Sequence, residues 1–424
     1  MTMSDPRAAK ARVAPADAWY LYATKLHTDQ LLVYGFAGSP PSVERAVEEV
    51  IERARSCPEL RLRVGGRRFN LGLPAWIPGE VEDAQIVVHY TGELDWAGCL
   101  KSFGELIEHR QLDPRQALWR LHLFVGVDGV PASPGQPSTV AALQISRAFA
   151  DGTRASALAG VLFGRTAALP AITAAPGRGR VVRGVDAFRH NRQLVRDTGT
   201  GRLPLPPGPV PALSVNEKPT GARILRTFVR HRMQLPGRSA TVGALVAISE
   251  ALSGYLLARG DDASTLTALV PMAKPGAPHA RNHSGPEFIR LHPDVTAKDE
   301  RAGLIATELH ECQRRRQHRA FVAQALALEA LPWPLQRWVS SRANPLVVMA
   351  HTVVSSVNRG AADLSFGGCP VIMTAGYPFL SPTIGLTHGV HGIGDMVGIS
   401  VNTTESVVPD IDDYLDRLNA ALGP

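Results

Sequence analysis

Apolar and polar positions follow two different periods along this chain, and the alternation predicts strands interleaved with helices. A short apolar run at 31–36 indicates a buried strand, and the apolar positions of 43–54 share one face of a helix that Ser42 can cap. Apolar segments at 119–127 and 139–145 predict two strands joined by a Pro-rich loop. The same patterns also predict strands at 60–64 and 86–89 and helices at 96–107 and from 155 onward.

A break in composition separates this part from the rest of the chain. Residues 170–219 are dense in Pro, Gly and Arg and cannot bury enough apolar surface for a core, although a short helix at 185–195 could interrupt them. Beyond the break, strands are predicted at 223–234, 266–270, 347–357, 371–377, 388–391 and 396–402, and helices at 241–259, 298–318 and 411–422. We therefore predict an α/β protein with an N-terminal domain at 1–168, a crossover linker at 169–220 and a C-terminal domain at 221–424.

Length and composition fit a globular protein of this organisation. The chain has 424 residues, 45% hydrophobic and 20% charged, which is enough for two domains with cores of their own. The N-terminus lacks a charged-then-apolar signal segment, and no uncharged apolar run reaches about 18 residues, so we predict a soluble, cytoplasmic protein. The four cysteines are expected to be reduced core thiols, and neither they nor the 14 histidines show metal-ligand spacing, so no metal site is predicted.

The chain is basic, with a formal net charge of +7, but only six of its 45 basic residues are lysine. Arginines concentrate at 178–202 and 313–319, where they could meet a phosphate-bearing partner such as CoA or an anionic membrane surface. A solvated basic face is the preferred interpretation of both segments, and peripheral membrane contact is the alternative. The sequence carries no nucleic-acid-binding motif, so nucleic acid is not a predicted partner.

The segment 146–152 (Ser-Arg-Ala-Phe-Ala-Asp-Gly) lies between a predicted buried strand and a predicted helix. Its spacing resembles the His-His-x-x-x-Asp-Gly signature of the CoA-dependent acyltransferase superfamily, which includes condensation domains. Asp151 and Gly152 keep the second half of that signature, and the resemblance implies structural roles for both: Asp151 holds the loop and Gly152 permits a tight turn. Ser146 and Arg147 stand where the family has histidines, of which the second is the general base. Arginine stays protonated at neutral pH and cannot take that role.

Further fragments make the resemblance more specific. In chain order they are 15–19 (Pro-Ala-Asp-Ala-Trp), 57–61 (Cys-Pro-Glu-Leu-Arg), 112–115 (Leu-Asp-Pro-Arg), 118–119 (Leu-Trp), 381–382 (Ser-Pro), Gly394, Gly398 and 408–410 (Val-Pro-Asp). Together they resemble the bacterial wax ester synthase/diacylglycerol acyltransferase family over nearly the whole chain. The resemblance implies two chloramphenicol-acetyltransferase-like domains, each a mixed sheet with flanking helices, and a tunnel between them. It also implies that acyl-CoA and an alcohol meet at the tunnel centre, with the thioester as substrate and no cofactor.

Three blocks depart from the pattern of this family. Besides 146–147, the family's Asn-Asp pair at the start of the first C-terminal-domain helix is Gly243-Ala244 here. Its Asn-Val-Pro-Gly-Pro block is 358–362 (Asn-Arg-Gly-Ala-Ala), which keeps only Asn358 and one glycine. Departure at three separate places indicates release from the original chemistry, or a change of it, rather than one tolerated substitution.

The candidate catalytic residues are Arg147, His391 and Ser146. Arg147 has two interpretations: a salt bridge to Asp151 or another carboxylate, which is preferred, or a tunnel cation that binds an anionic group or polarises a carbonyl. Ser146 has no adjacent base and is expected only to form a hydrogen bond. The resemblance places His391 at the tunnel centre, which makes it the best replacement base, although a lone histidine more often has a structural role.

The candidate substrate-binding residues are Asn358, His388 and Ser381. His388 and His391 are three positions apart on a predicted strand, so their side chains point to opposite faces. At most one of these two histidines can therefore face the tunnel.

Two functions compete. The first is an acyltransferase that binds an acyl thioester, acyl-CoA or carrier-bound, and transfers the acyl group to an alcohol or amine with altered catalytic residues. The second is a catalytically inactive homologue that binds an acyl chain or lipid, or that pairs with a partner protein. Recruitment of the tunnel for other chemistry is a third alternative. The preferred prediction is that acyl-thioester binding is retained, with catalysis left open between the first two.

Overall fold

The computed structural model describes residues 12–22, 27–65, 74–89, 95–173, 179–205, 207–237, 239–332, 335–336 and 347–423. The first part of the chain contains α1 (Pro15–Tyr22), β1 (Gln30–Ala37), α2 (Val43–Ser56), β2 (Leu62–Gly65), β3 (Ala75–Pro78), β4 (Ile86–His89), α3 (Trp96–His109), β5 (Trp119–Val127), β6 (Ser138–Ile145) and α4 (Gly152–Leu162). A helix, α5 (Arg180–Gly199), follows in the crossover. The remainder contains β7 (Arg223–His231), α6 (Ala240–Ala258), β8 (Thr267–Ala273), β9 (Ser284–Arg290), α7 (Lys298–Arg316), α8 (Arg319–Glu329), β10 (Thr352–Asn358), β11 (Ser365–Phe366), β12 (Cys369–Gly376), β13 (Thr387–Ile393), β14 (Met396–Thr404) and α9 (Ile411–Leu422).

The strands form two six-stranded sheets, in the orders β11-β12-β1-β6-β5-β4 and β7-β14-β13-β10-β8-β9. Each sheet is mixed: β4 runs parallel to β5, and β13, β10 and β8 run parallel to one another, while the other pairs are antiparallel. Helices α2 and α4 pack with the first sheet and α6 and α9 with the second. The predicted α/β layers in two halves are therefore present.

One segment crosses between the halves. Strands β11 and β12 lie in the C-terminal part of the sequence, yet β12 pairs antiparallel with β1, from Leu32 opposite Gly376 to Phe36 opposite Val371. The pairing covers an edge of β1 that would otherwise present open backbone groups. The boundaries predicted at 168 and 220 follow chain order, whereas in space the first half includes 365–376.

Glycines let the two sheets meet at this crossover. A Cβ atom on Gly389 of β13 would lie 2.0 Å from the carbonyl oxygen of Gly376, and one on Gly398 of β14 would lie 2.0 Å from that of Thr374. No side chain fits at such a distance, so the backbone of β12 lies directly against β13 and β14. This contact fixes the position of β12 relative to both sheets.

The crossover itself is more ordered than its composition predicts. Helix α5 runs for 20 residues instead of forming a short helix at 185–195, because it packs along α8, a contact that local sequence does not reveal. Its outer face exposes apolar side chains, including Val181, Phe188 and Val195, among arginines. Residues 174–178 and 206 of the predicted linker lie outside the described residues.

Helix α6 has the length and apolar composition of a membrane-spanning helix. Most of that apolar surface is buried inside the second half, where Leu245, Ile248 and Leu252 are fully enclosed. Burial therefore accounts for α6 as a core helix.

The free thiols Cys57, Cys99, Cys312 and Cys369 are also buried.

Candidate functional site

A small cavity lies where the two sheets meet. Its volume is about 40 Å³, which is room for roughly three water molecules. Strands β1 and β12 border it from the first sheet and β10 and β13 from the second. The lining residues are 29–32, Arg147, Gly152, Ser156, Ser355, Val357, Arg359, 376–379 and His391. A larger groove of about 370 Å³ lies on the surface along α5 and α8, but the predicted site residues do not line it.

Arg147 reaches the cavity from the loop between β6 and α4. Its guanidinium carbon lies 5.6 Å from the ring centroids of both Tyr20 and Phe379, so two aromatic rings hold the cation. Its Nε is buried and has no hydrogen-bond partner among the described residues. The preferred interpretation, a salt bridge to Asp151, is wrong, because the Asp151 carboxylate accepts backbone N–H groups instead. The structure supports the alternative, a cation in the cavity.

A second arginine, Arg359 at the end of β10, lines the same cavity. It is 3% exposed, and its Nη1 donates to the Thr374 hydroxyl and to the carbonyl oxygen of Val33. The guanidinium carbon lies 5.0 Å from the Tyr34 ring centroid. Its Nε, like that of Arg147, has no partner among the described residues. Neither arginine forms an ion pair with a carboxylate in the part of the chain that the structure describes.

His391 also faces the cavity, from β13. A Cβ atom on Gly376 would lie 2.9 Å from its Cε1 and 2.8 Å from Nη2 of Arg359, so glycine at 376 makes room for both side chains. Burial, reinforced by the charge of Arg359, lowers the pKa of His391 well below its ordinary value. Its Nδ1 has no partner among the described residues. The ring is therefore a neutral hydrogen-bonding group and a weak base.

Asp29, next to β1, brings a carboxylate to the lining. Its Oδ2 accepts the backbone N–H of Leu112 at 2.7 Å and the side-chain amide of Gln144 at 3.0 Å. Burial raises the pKa of Asp29 to about 6, even though these hydrogen bonds favour the charged form. A carboxylate with such a pKa is largely ionised at pH 7 and can still accept a proton efficiently.

Beside the cavity, carboxylates of the first half hold residues 281–283 of the second half. We call this set of Asp17, Glu59, Asp151, Arg154 and Arg281 the clasp. Asp17 accepts the backbone N–H groups of Arg281 and its neighbour at 2.9 and 2.8 Å. Asp151 caps α4 by accepting the N–H of Arg154 at 2.9 Å, and its other oxygen accepts the N–H of residue 283 at 2.9 Å. Asp151 thus joins the motif loop to the opposite half.

Glu59 is the charged centre of the clasp. It pairs with Arg154 at 2.9 Å and forms a closer pair with Arg281. Burial alone would raise the pKa of Glu59, but the two arginines lower it below its ordinary value. The Arg281 guanidinium also lies between two rings, 4.9 Å from the centroid of Trp76 and 5.2 Å from that of Phe149. Asp17 and Glu59 come from two fragments of the sequence resemblance, at 15–19 and 57–61, so those fragments build the clasp.

The structure places the other predicted residues outside the polar centre of the cavity. His388 is fully buried on the opposite face of β13, where its Nε2 lies 2.5 Å from the Tyr414 hydroxyl and its Nδ1 2.9 Å from that of Thr352. Both ring nitrogens are satisfied inside the second core, so the prediction that His388 binds substrate is corrected to a structural role. The opposite orientation of the two histidines is confirmed.

Ser381 and Asn358 are also away from the cavity lining. Ser381 forms a tight turn with Ile384, and Asn358 is exposed and accepts the N–H of Gly360 at 2.9 Å. Both predictions of substrate binding are corrected, because Asn358 stabilises a turn through its side chain and Ser381 forms one through its backbone. Ser146 is 5% exposed and does not line the cavity, and its carbonyl begins the turn into α4.

Gly152 lines the cavity, and the structure gives a reason for glycine at this position other than the expected tight turn. A Cβ atom there would lie 2.8 Å from Cγ2 of Val357 on β10, so glycine allows α4 to approach the second sheet closely.

Sequence reasoning missed Arg359, Asp29 and Gly376. A signal existed for Arg359, which lies in the divergent block 358–362. In the described part of the chain, no three His, Cys, Asp or Glu side chains cluster as metal ligands do.

Comparison with solved structures identifies the fold. The chain is similar to a wax ester synthase/diacylglycerol acyltransferase from Marinobacter aquaeolei VT8, with a TM-score of 0.62, 17% identity, and coverage of 97% of this chain and 98% of that chain. It is also similar to the starter condensation domain of the rhizomide synthetase, in a variant solved with C8-CoA and Leu-SNAC (TM-score 0.57, 14% identity, coverage 97% and 92%). The first condensation domain of the CDA synthetase matches similarly (TM-score 0.57, 14% identity, coverage 97% and 95%). The predicted fold, two chloramphenicol-acetyltransferase-like domains, is confirmed.

The family match is narrower and lies in the C-terminal part. Residues 306–423 match the family model described as WS/DGAT C-terminal domain. The comparison with curated protein sequences gave no significant match. The predicted resemblance to the wax ester synthase/diacylglycerol acyltransferase family is thereby confirmed for the C-terminal part of the chain.

Proposed function

We propose that this protein binds an acyl thioester, acyl-CoA or carrier-bound, between its two halves and lacks the efficient acyl transfer that a histidine base provides. One observation carries the proposal: the Arg147 guanidinium lies in the junction cavity, held by two rings, with an unpartnered Nε. A cation at this point can bind a ligand oxygen but cannot remove a proton from an attacking hydroxyl.

The loss of a general base lowers the rate without abolishing it. Such a base contributes about 10²–10⁴-fold, while positioning and carbonyl polarisation by fixed donors remain. His391 does not replace it well, because burial and Arg359 hold its pKa far below neutrality. We therefore expect slow turnover at best through this histidine.

Thioester binding is supported by the preserved architecture. The structural match to the condensation domain solved with C8-CoA and Leu-SNAC extends over 97% of this chain. The clasp beside the cavity is intact, with Glu59 paired to arginines of both halves. The acceptor, membrane contact and cytoplasmic location stay predictions.

Ligand binding and turnover can be tested on the same preparation. We expect an acyl-CoA to raise the melting temperature of the purified protein, with thioester consumption near background for alcohols and amines. Arg147→His should keep the thermal shift and increase turnover if the cavity is otherwise competent. Absence of a thermal shift with any acyl-CoA, or wild-type turnover that Arg147→His does not improve, would contradict the proposal.

A second candidate function, active acyl transfer, rests on Asp29. Asp29 is one of the lining residues, and burial raises the pKa of its carboxyl group to about 6, which suits a general base at neutral pH. In that case turnover would fall as pH drops through about 6, and Asp29→Asn would remove both the activity and this limb of the pH profile. Turnover retained by Asp29→Asn would exclude Asp29 as the base.

A further inference from the structure

Two arginine side chains, Arg147 and Arg359, share one small cavity, and neither is paired with an anion in the described part of the chain. Arg147 and Arg359 both line it, both have a buried Nε without a partner, and neither forms an ion pair among the described residues. The Nδ1 of His391 is a third unpartnered polar atom there. Asp29 does not neutralise the pair, because its carboxylate is bound by Leu112 and Gln144.

Four other buried arginines are paired with carboxylates, whereas a fifth, Arg301, donates to the carbonyl oxygen of Val295 instead. Arg154 and Arg281 share Glu59 in the clasp, and Arg315 and Arg316 share Glu287 at 2.5 and 3.3 Å. Buried charge is costly without a counter-charge or a full set of hydrogen bonds. The Nε atoms of Arg147 and Arg359 have no partner among the described residues, and both side chains line the cavity, so a ligand oxygen can supply that partner.

The chemistry of the two arginines favours an anion with paired oxygens. A guanidinium presents parallel N–H donors whose spacing matches the two oxygens of a planar carboxylate. Aromatic rings lie against both guanidinium groups and cover part of their surface.

We propose that Arg147 and Arg359 bind a carboxylate group of the ligand in this cavity. This rests on the proposed function and deepens it, since the ligand becomes an acyl thioester whose acyl chain ends in a carboxylate, or a thioester bound beside a separate carboxylate compound. Both arginines stand in blocks that depart from the family's pattern, at 146–147 and 358–362. Two departures that meet in one cavity indicate a changed site rather than independent decay.

The test compares thioesters that differ in the terminal group of the acyl chain. By isothermal titration calorimetry, malonyl-CoA should bind the wild-type protein at least about tenfold more tightly than butyryl-CoA, because charged hydrogen bonds form only with the carboxylate. Arg147→Gln and Arg359→Gln should each remove most of this preference, which is the ratio of the two affinities. Arg192→Gln, at an exposed position of α5, is the control and should retain the preference.

Further arms separate the sources of the carboxylate. In one outcome, free malonate binds the wild type but neither variant, and both thioesters bind the wild type equally. This result would assign the carboxylate to a separate ligand and still support the site. If neither thioester binds and malonate does so through the arginines, the proposed function fails while the carboxylate site stands. Three outcomes overturn the inference. The wild type binds both thioesters equally and does not bind malonate, or the preference for malonyl-CoA survives both variants. The third is that the wild type binds inorganic phosphate as tightly as malonate. Arg147→Gln decides the result if Arg359→Gln does not fold, because Arg147 is only half-buried.

Discussion

The clasp and the cavity use buried arginine in opposite ways, although they lie side by side at the same junction. In the clasp, Arg281 lies between two aromatic rings and meets the carboxylate of Glu59. In the cavity, Arg147 also lies between two rings but meets no carboxylate among the described residues. Arg281 is buried, whereas Arg147 is only half-buried, so the two arginines differ in exposure as well as in counter-charge.

That difference separates a structural role from a binding role. A paired buried arginine holds two chain segments together, and loss of its partner leaves an uncompensated charge. An unpaired one contributes less to folding and keeps its donors available to a ligand. The comparison therefore predicts that substitutions in the clasp change stability, while substitutions in the cavity change binding.

The largest effect is expected when the clasp loses its carboxylate. Glu59→Gln leaves Arg154 and Arg281 without a counter-charge, so the free energy of unfolding should fall by about 3 kcal/mol. Urea denaturation measures the loss. Glu80→Gln is the control, because Glu80 is exposed and meets Arg61 only at 3.5 Å, and it should cost less than about 1 kcal/mol. Similar losses in the two variants would mean that the clasp does not hold the halves together by charge.

A smaller effect should come from the pH dependence of Asp17. Burial raises the pKa of Asp17 to about 7, although two backbone N–H groups favour its charged form. An unfolded aspartate titrates near 3.9, so between about pH 4 and 7 the folded state binds more protons and is stabilised as the pH falls. Relative to Asp17→Asn, the wild type should gain about 1 kcal/mol of unfolding free energy per pH unit from pH 6.5 to 5.5.

This double difference cancels the titration of other groups, because both proteins share them. Denaturation curves at the two pH values give the result. A gain for the wild type on going to higher pH would show that the backbone donors dominate over burial at Asp17. The clasp would then rest on a charged carboxylate at each of its acidic positions.

Much of the fold could be predicted from the sequence, because local patterning determines it. The helix 411–422 and the strands 86–89 and 119–127 have the predicted bounds. The crossover of β12 into the first sheet could not be predicted, since strand pairing over more than 300 residues leaves no local signal. The 20-residue length of α5 depends on α8 in the same way.

The candidate site was only partly predictable, for a related reason. Arg147 was found because it replaces a residue in a recognisable motif, and His391 because it lies in a segment that the resemblance places at the centre. Arg359 lies 212 positions from Arg147 and joins it only through the tertiary fold. The preferred salt bridge to Asp151 failed because a short acidic side chain after a strand caps the following helix before it reaches a neighbouring cation.

The smallest stability effect is expected for Arg147, and it tests the comparison most directly. Arg147→Met removes two ring contacts and no ion pair, so the free energy of unfolding should change by less than about 1 kcal/mol. Arg281→Met removes two similar ring contacts together with the pair to Glu59, so it should cost clearly more. Urea denaturation of both variants gives the difference. Equal losses would mean that the rings rather than the carboxylate hold Arg281, and the clasp and the cavity would then not differ in how they use arginine.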